Sequence, residues 1–109
     1  MATTYKVLGQ SAPSATTETA LYTVPASTLT IISTLTVANR SATDATFRVS
    51  ISQDGAATAT KDYVAYDLIC PGNGHIAFTE GWTANAADVV RIYASSANLS
   101  FNLFGSEIA

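Results

Sequence analysis

The sequence predicts an all-β protein, built as a single antiparallel β-sandwich or a jelly-roll-like barrel of about eight strands. Several segments alternate apolar and polar residues with a period of two, which is the pattern of a strand with one buried face. These segments recur roughly every ten residues, with turn signals between them. The chain is rich in Thr, Val, Tyr and Ile, which suit pleated surfaces, and no segment has a convincing helical period.

The first half of the chain begins with three predicted strands. Residues 5–9 form a short strand, and a polar loop over 10–17 follows it. A second strand over 19–24 ends at Pro25, because proline has no N–H to donate to a ladder. The third strand, over 28–39, is the longest and places the centre of the sheet early in the chain.

This third strand lies in a segment without charge, since no Asp, Glu, Lys or Arg occurs between Glu18 and Arg40. One parity of the strand is apolar and the other is threonine. The two sets are Leu29, Ile31, Leu35 and Val37 against Thr28, Thr30, Thr34 and Thr36. The pattern predicts an apolar face toward the core and a hydroxyl-rich outer face. Because a free-standing domain normally places charges outside, we expect the threonine face to be covered by the chain's own second layer or by neighbouring protein.

The fourth and fifth strands are predicted from clear alternation. A turn over 39–44 leads into residues 46–52, where apolar and polar side chains take alternate places. A flexible loop opens at Asp54 and Gly55. In the strand that follows, over 62–69, the two alternating sets are Val64, Tyr66 and Leu68 against Tyr63, Ala65 and Asp67.

The last three strands follow the strongest turn signal in the chain, the PGNG sequence at 71–74. Residues 75–79 form a strand with Ile76 and Phe78 facing inward. Residues 80–87 are predicted to be a loop that carries Trp82. We expect a hairpin of two strands, over 88–94 and 98–104, around the turn at 95–97. The four phenylalanines are predicted to be core residues: Phe47, Phe78, Phe101 and Phe104.

Composition limits the classes of protein to which the chain can belong. Its 109 residues predict one domain over 1–109. Charged residues make up 12%, about half of the roughly 25% usual for soluble proteins, and the net charge is −3. This balance argues against a nucleic-acid groove, which needs clustered cations. The cations are instead scattered along the chain: Lys6, Arg40, Arg48, Lys61 and Arg91.

Targeting signals and disulfides are not predicted either. No run of about 18 apolar residues could span a membrane, and the first residues lack the pattern of a signal peptide. Cys70 is the lone cysteine, so an internal disulfide framework is excluded. Reduced, cytosolic synthesis is the simplest interpretation.

A nucleophilic site is one hypothesis for Cys70 and His75, with Asp67 nearby in sequence. A histidine can activate a thiol by removing its proton. The PGNG turn separates the two residues, however, and no family signature surrounds them. The favoured interpretation is that Cys70 is a small packed side chain and His75 a strand-edge residue.

Metal sites are weakly supported. A zinc site needs three or four Cys, His or carboxylate ligands at chelating spacing, and one cysteine with one histidine does not supply them. Calcium takes six to eight oxygens, but none of the acids forms a D-x-D-x-D-G loop. The carboxylates considered are Asp44, Asp54, Asp62 and Asp67. We interpret them as loop and strand-edge residues, and we expect no metal, cofactor or catalytic residue.

A carbohydrate platform is a further hypothesis, since aromatic faces stack on sugar rings. Its residues would be Trp82, Tyr63, Tyr66 and Tyr93. Large aromatic side chains are also common as core residues or interface anchors, and both interpretations stay open.

The whole-chain pattern resembles small virion proteins of tailed bacteriophages. The resemblance rests on the segments GQSAPSATTETALYTVPAST, TVANRSATDATFRVSI, KDYVAYDL and ANLSFNLFGSEIA. In that group an opening K-V-L-G-Q, a T-x-L-Y-T-V-P-A turn, a V-A-N-R strand end and a closing F-x-L-F-G-x-E recur in one β domain. The resemblance covers residues 5–107 and concerns strand and turn positions, so no catalytic residues come with it.

The resemblance implies a virion structural protein, most specifically a capsid decoration (cement) protein, made in the cytoplasm of a bacterial host. Its implied partners are the major capsid protein or other virion subunits, and its implied assembly is a homotrimer. The alternatives are a tail, neck, baseplate or fibre component that binds host-surface glycan, and a small hydrolase that uses His75 and a carboxylate. We expect the interface at residues 1–10, from Met1, and at 105–109, because chain ends stay untied unless a partner orders them.

Overall fold

The computed structural model describes residues 2–109, which form two antiparallel β-sheets packed face to face without an α-helix among them. The predicted all-β sandwich is therefore confirmed. Two single-turn 3-10 helices, Gln53–Gly55 and Thr60–Asp62, fill the loop after the fourth strand. The strands are β1 Thr3–Ser11, β2 Thr19–Thr23, β3 Leu29–Asn39, β4 Ala45–Ser52, β5 Tyr63–Cys70, β6 His75–Phe78, β7 Trp82–Ala84, β8 Val89–Ala94 and β9 Leu99–Ile108.

The pairing of the strands is that of a jelly roll. Sheet A has the order β1-β9-β3-β6, and β7 also pairs with β3. Sheet B has the order β2-β8-β4-β5. The first strand thus pairs with the last, the second with the next to last, and β4 with β5 at the centre of the sequence. β6 and β7 both run antiparallel to β3 and occupy successive stretches of it, so they act as two halves of one interrupted strand.

Three sequence predictions about these strands are wrong. β8 and β9 lie in different sheets, so the segment between them crosses the sandwich and does not close a hairpin. The predicted loop over 80–87 contains a strand, β7, which pairs with β3 at Ile32 through Trp82. The first and last strands, β1 and β9, are longer than 5–9 and 98–104, because they pair with each other as far as Thr3 and Ile108.

A β-bulge in β3 changes which of its residues face the core. The pairing register between β3 and β9 shifts between Ile32 and Thr34. Before the shift Thr30 and Ile32 are buried, and after it Leu35 and Val37 are buried. The prediction that all odd positions face inward is therefore half wrong: Leu29 is 41% exposed, whereas Thr30 is fully buried. One extra residue in a strand reverses the inside and outside of everything beyond it.

Glycine at position 105 lets β9 pass this bulge. A Cβ at Gly105 would lie 2.0 Å from the carbonyl oxygen of Ile31, a backbone atom that cannot move aside without shifting β3. Only a residue without a side chain permits the two strands to approach so closely.

The core lies between the sheets and is centred on two aromatic rings. Phe47 and Phe101 are fully buried, with ring centroids 6.0 Å apart in an edge-to-face arrangement. Phe78 and Ile76 pack against this cluster as predicted. Phe104 does not belong to it, because its pairing with Thr34 and Val7 places it on the outer side of sheet A.

The alternation of β5 does not match its burial. Ala65 and Cys70 are its buried residues, while the larger apolar residues of the strand are exposed. β5 is an edge strand, and its register with β4 shifts twice. Bulges and irregular edges hinder the addition of further strands, so this edge is protected against strand pairing with other chains. The exposed residues are Val64, Tyr66, Leu68 and Ile69, at 40%, 55%, 41% and 59%.

A polar cluster joins the two sheets near the chain ends. Tyr22 in sheet B donates its hydroxyl to Glu107 at 2.5 Å, and its oxygen lies 2.8 Å from the Thr30 hydroxyl. Lys6 donates to the other Glu107 oxygen at 3.3 Å. Burial, followed by the hydrogen bond to Glu107, raises the pKa of Tyr22 to about 12. The same hydrogen bond, aided by Lys6, lowers the pKa of Glu107.

Candidate functional site

The residues of the hypothetical nucleophilic site lie in unrelated environments. Cys70 is fully buried, and its sulfur lies 3.5 Å from the Val37 carbonyl oxygen. Burial raises the pKa of the Cys70 thiol, which disfavours the reactive thiolate. His75 is exposed on β6, opposite Ala38. The Asp67 carboxylate is bound by Arg48, with Nε to Oδ1 at 2.7 Å. The sequence neighbours therefore do not form a hydrogen-bonded Cys–His–Asp arrangement.

The carboxylates proposed for metal binding fasten loops. Asp44 accepts from the Gly72 N–H at 2.9 Å, and Asp62 accepts from the Ala59 N–H at 2.8 Å and from Lys61 at 2.7 Å. These contacts, with the Lys61 hydrogen bond first, lower the pKa of Asp62. Within residues 2–109 no group of three or more His, Cys, Asp and Glu side chains is placed to hold a metal ion.

Sequence reasoning underestimated how deeply some acids are buried. Asp88, which was assigned no role, is 7% exposed and accepts from the N–H groups of Asp54 at 3.0 Å and Asn85 at 2.8 Å. A carboxylate that follows a loop and precedes an apolar strand is the signal that could have indicated this anchoring role.

The aromatic residues proposed for carbohydrate binding divide into two places. Trp82 is half-buried and packs on Phe78, with centroids 5.7 Å apart. The tyrosines lie together on sheet B: Tyr63 and Tyr66 are 4.8 Å apart edge to face, and the Arg48 guanidinium lies 4.3 Å from the Tyr66 ring centroid. Arg48 also lies 4.6 Å from the Tyr93 centroid, so it is held between two rings.

A cavity of about 490 Å³ opens beside these tyrosines. It is lined by Thr58, Ala59, Thr60, Tyr63 and Tyr66, a combination of hydroxyl groups and aromatic rings. Its position, between the loop of short 3-10 helices and the edge strand β5, leaves Trp82 outside it.

The outer side of sheet A has a different character, because within residues 2–109 its paired strands place no Asp, Glu, Lys or Arg side chain there. In antiparallel pairs, residues directly opposite one another share a face, so the pairing registers define this surface row by row. The five outward rows are Thr3, Ile108 and Leu29; Tyr5, Ser106, Ile31 and Thr83; Val7, Phe104 and Thr34; Gln10, Asn102, Thr36 and Ala77; and Ser100, Ala38 and His75. We call this surface the uncharged face. None of its rows contains Asp, Glu, Lys or Arg.

The uncharged face is apolar at one end and hydroxyl-rich at the other. Its first three rows include Tyr5, Val7 and Leu29, which are 84%, 46% and 41% exposed. The later rows carry Thr, Asn, Gln and Ser side chains. Lys6 and Glu107, which interrupt the charge-free pattern in the sequences of β1 and β9, belong to inward rows and bind each other. Arg40 touches the far margin, where its Nε donates to the Ser100 hydroxyl at 2.9 Å.

The chain ends are not free arms. Ala2 and Ala109 exchange both backbone hydrogen bonds, at 2.7 and 2.9 Å, so the ends of β1 and β9 are tied to each other. The premise that the chain ends stay untied without a partner therefore does not hold for residues 2–109, and Met1 lies outside the described residues. The interface expected at residues 1–10 and 105–109 stays a prediction. Tyr5, Val7 and Ile108 still belong to the uncharged face, so these segments contribute surface as strands.

No protein-family profile and no curated protein matches the chain. The described residues include no helix that is long and apolar enough to cross a membrane. The surfaces of the sandwich are therefore the features from which a function can be inferred.

Proposed function

We propose that the chain is a structural subunit of a tailed-bacteriophage virion, most specifically a capsid decoration protein that stabilises the head by protein–protein contacts. The uncharged face carries this proposal. A broad, moderately polar surface without charges suits packing against other protein, since charged residues are depleted from the cores of protein interfaces. The partners would be the major capsid protein or other virion subunits, including copies of the same chain.

Two further observations support the proposal. The resemblance to small phage virion proteins extends over residues 5–107, nearly the whole chain. The strand pairing is that of a jelly roll, an architecture found in viral capsid and lectin domains. A shared fold is compatible with many functions, so this second argument is one of analogy.

The proposed mechanism is mechanical and needs no catalytic group or cofactor. Each subunit would add a modest contact area to the particle, and repetition over many equivalent sites would make the sum large. A stiff sandwich serves this role because little conformational freedom is lost when it docks.

Cryo-EM of virions from the phage that encodes this chain tests the proposal. Particles assembled without the chain form the matched control, and purified chain added back to them should restore the missing density. We expect density for the sandwich on the head, together with a higher temperature of genome release. Density confined to the tail, or none at all, would overturn the capsid role.

A second candidate function, a tail or fibre component that binds host glycan, is favoured by the tyrosine-lined cavity. A saccharide ring could stack on Tyr66 and accept hydrogen bonds from Thr58 and Thr60. In a glycan array, Tyr66→Ala should abolish binding while Trp82→Ala, outside the cavity, should leave specificity unchanged. Flat binding curves for the native protein across host polysaccharides would eliminate this function.

A further inference from the structure

We infer that the uncharged face is the contact surface for a second copy of this chain, so that two sheets A stack face to face around a twofold axis. The inference rests on the proposed assembly function, since it names the partner of the same face. A surface that packs on its own counterpart forms an isologous contact, which closes at two copies. It therefore differs from the trimer that the sequence resemblance implies.

Electrostatics favour a second copy as the occupant. Each chain carries a net charge of −3, so two copies repel each other through most of their surfaces. The five rows of the uncharged face contribute no charge to such repulsion. The nearby Lys6 and Glu107 lie on the opposite side of sheet A, where Lys6 is 45% exposed and pairs with Glu107 at 3.3 Å. Two copies can thus meet on this face without placing like charges opposite one another.

Among the proposed virion partners, the absence of charge favours a copy of the same chain as the occupant of this face. Interfaces between different proteins use complementary charges to select the partner and to fix its orientation. The uncharged face offers no such pattern beyond Arg40 at its margin. In a twofold pair, symmetry makes the two surfaces equivalent. Hydroxyl and amide groups both donate and accept hydrogen bonds, so those of one copy can pair with the same kind of group on the other.

The size of the face is sufficient for a stable pair. It is four strands wide, at ~5 Å per strand, and β3 is eleven residues long, at ~3.3 Å per residue. The flat area of the face is therefore roughly 700 Å², without the additional surface of its protruding side chains. Specific interfaces bury about 800 Å² on each partner, so the face matches a standard interface.

The side chains of the face supply an apolar end suited to anchoring a partner and a polar end suited to the margin of an interface. Tyr5 and Val7 project from β1 beside Phe104, and Tyr5 is 84% exposed in the single chain. An exposed tyrosine of this kind is a frequent anchor in protein interfaces. Thr36 and Asn102, in the row beyond, would form part of the polar margin.

Sedimentation equilibrium of the purified chain tests the inference without any other virion protein. We expect a mass of twice the 11.3 kDa of one chain. Val7→Lys should weaken the pair by about tenfold or more, because each pair would bury two unpaired ammonium groups. Tyr5→Lys is a second variant with little risk to folding. Ile69→Lys is the matched control, since Ile69 is an exposed apolar residue of sheet B, at 59%.

Far-UV circular dichroism and urea unfolding establish that each variant is folded. A native mass of one chain, or of three chains, would overturn the inference, as would equal weakening by Val7→Lys and Ile69→Lys. These outcomes are separate from those of the virion experiment. A monomeric chain that decorates heads would refute only the twofold pair, and a paired chain absent from virions would refute only the proposed function.

Discussion

Replacing Tyr22 by Phe should destabilise the sandwich although it removes only one oxygen atom. The Tyr22 ring is 9% exposed and would stay in place, so the substitution leaves no large cavity. It removes a hydrogen bond to the Glu107 carboxylate, and hydrogen bonds to charged groups contribute ~1.5–3 kcal/mol. The fully buried Thr30 hydroxyl also loses its partner at 2.8 Å. Because Glu107 keeps its hydrogen bond from Lys6, we expect the free energy of unfolding to fall by about 2–3 kcal/mol.

Urea unfolding followed by the fluorescence of Trp82, the single tryptophan, measures this difference directly. In thermal unfolding the same loss should lower Tm by roughly 8–12 °C for a chain of this size. Tyr93→Phe removes a hydroxyl from a half-buried tyrosine of sheet B and should change stability by less than about 0.5 kcal/mol. If Tyr22→Phe and Tyr93→Phe unfold at the same urea concentration, the cluster does not hold the sheets together and the reasoning is wrong.

The pH dependence of this difference supplies an independent check on the cluster. Folding raises the pKa of Tyr22 from 10.0 to about 12, so its contribution is fully present below pH 10 and is lost as the pH rises toward 12. The two pKa values differ by an amount equivalent to ~3 kcal/mol at most. The difference in free energy of unfolding between the wild-type chain and Tyr22→Phe should therefore shrink as the pH rises from 10 to 12. A stability gap that stays constant from pH 9 to pH 12 would contradict the assignment.

Three further outcomes follow from named contacts. Gly105→Ala should lower the free energy of unfolding by ~3 kcal/mol or more, or prevent folding, because its Cβ would lie 2.0 Å from the Ile31 carbonyl oxygen. Ser106→Ala, the control, should change the urea midpoint little. Cys70 should resist a thiol reagent in the native protein and react at once in urea, because it is fully buried; fast native labelling would contradict its placement. Glu107→Gln should be destabilising at pH 7, since the depressed pKa of Glu107 contributes stability above its unfolded value of 4.5. That contribution is lost as the pH falls through the pKa of Glu107 in the folded protein. A difference in stability between wild type and Glu107→Gln that is the same at pH 2–3 as at pH 7 would refute the prediction.

Local signals in the sequence were sufficient to predict much of the fold. Pro25 follows the end of β2, and the PGNG turn separates β5 from β6. The bulge in β3 was missed because apolar residues occupy both parities of that strand. Ile31 and Ile32 are adjacent, and such a doublet inside an alternating run was the signal that could have located the reversal of faces.

Long-range pairing was the part that local patterns could not supply. Alternation predicts a strand at 88–94 and another near 98–104, but it does not specify whether a short connection closes a hairpin or crosses between sheets. The same limit applies to the aromatic residues, because local sequence does not show that Trp82 and Tyr66 lie in different sheets. The charge-free segment before Arg40 was visible in the sequence, whereas its extension across β1 and β9 depends on strands from opposite ends of the chain.

The low charge of the chain is distributed unevenly, and this distribution is more informative than the composition. A surface with the usual 25–35% of charged residues would place about four to six charges on five rows of this size. Sheet A places none there, while sheet B exposes the Arg48–Asp67 pair on its own outer side. A uniformly charge-poor protein would show no such contrast between its two faces. A sandwich that keeps charges on one side and excludes them from the other, with the Lys6–Glu107 pair on the opposite side of sheet A, supports the proposal that the uncharged face is covered by protein.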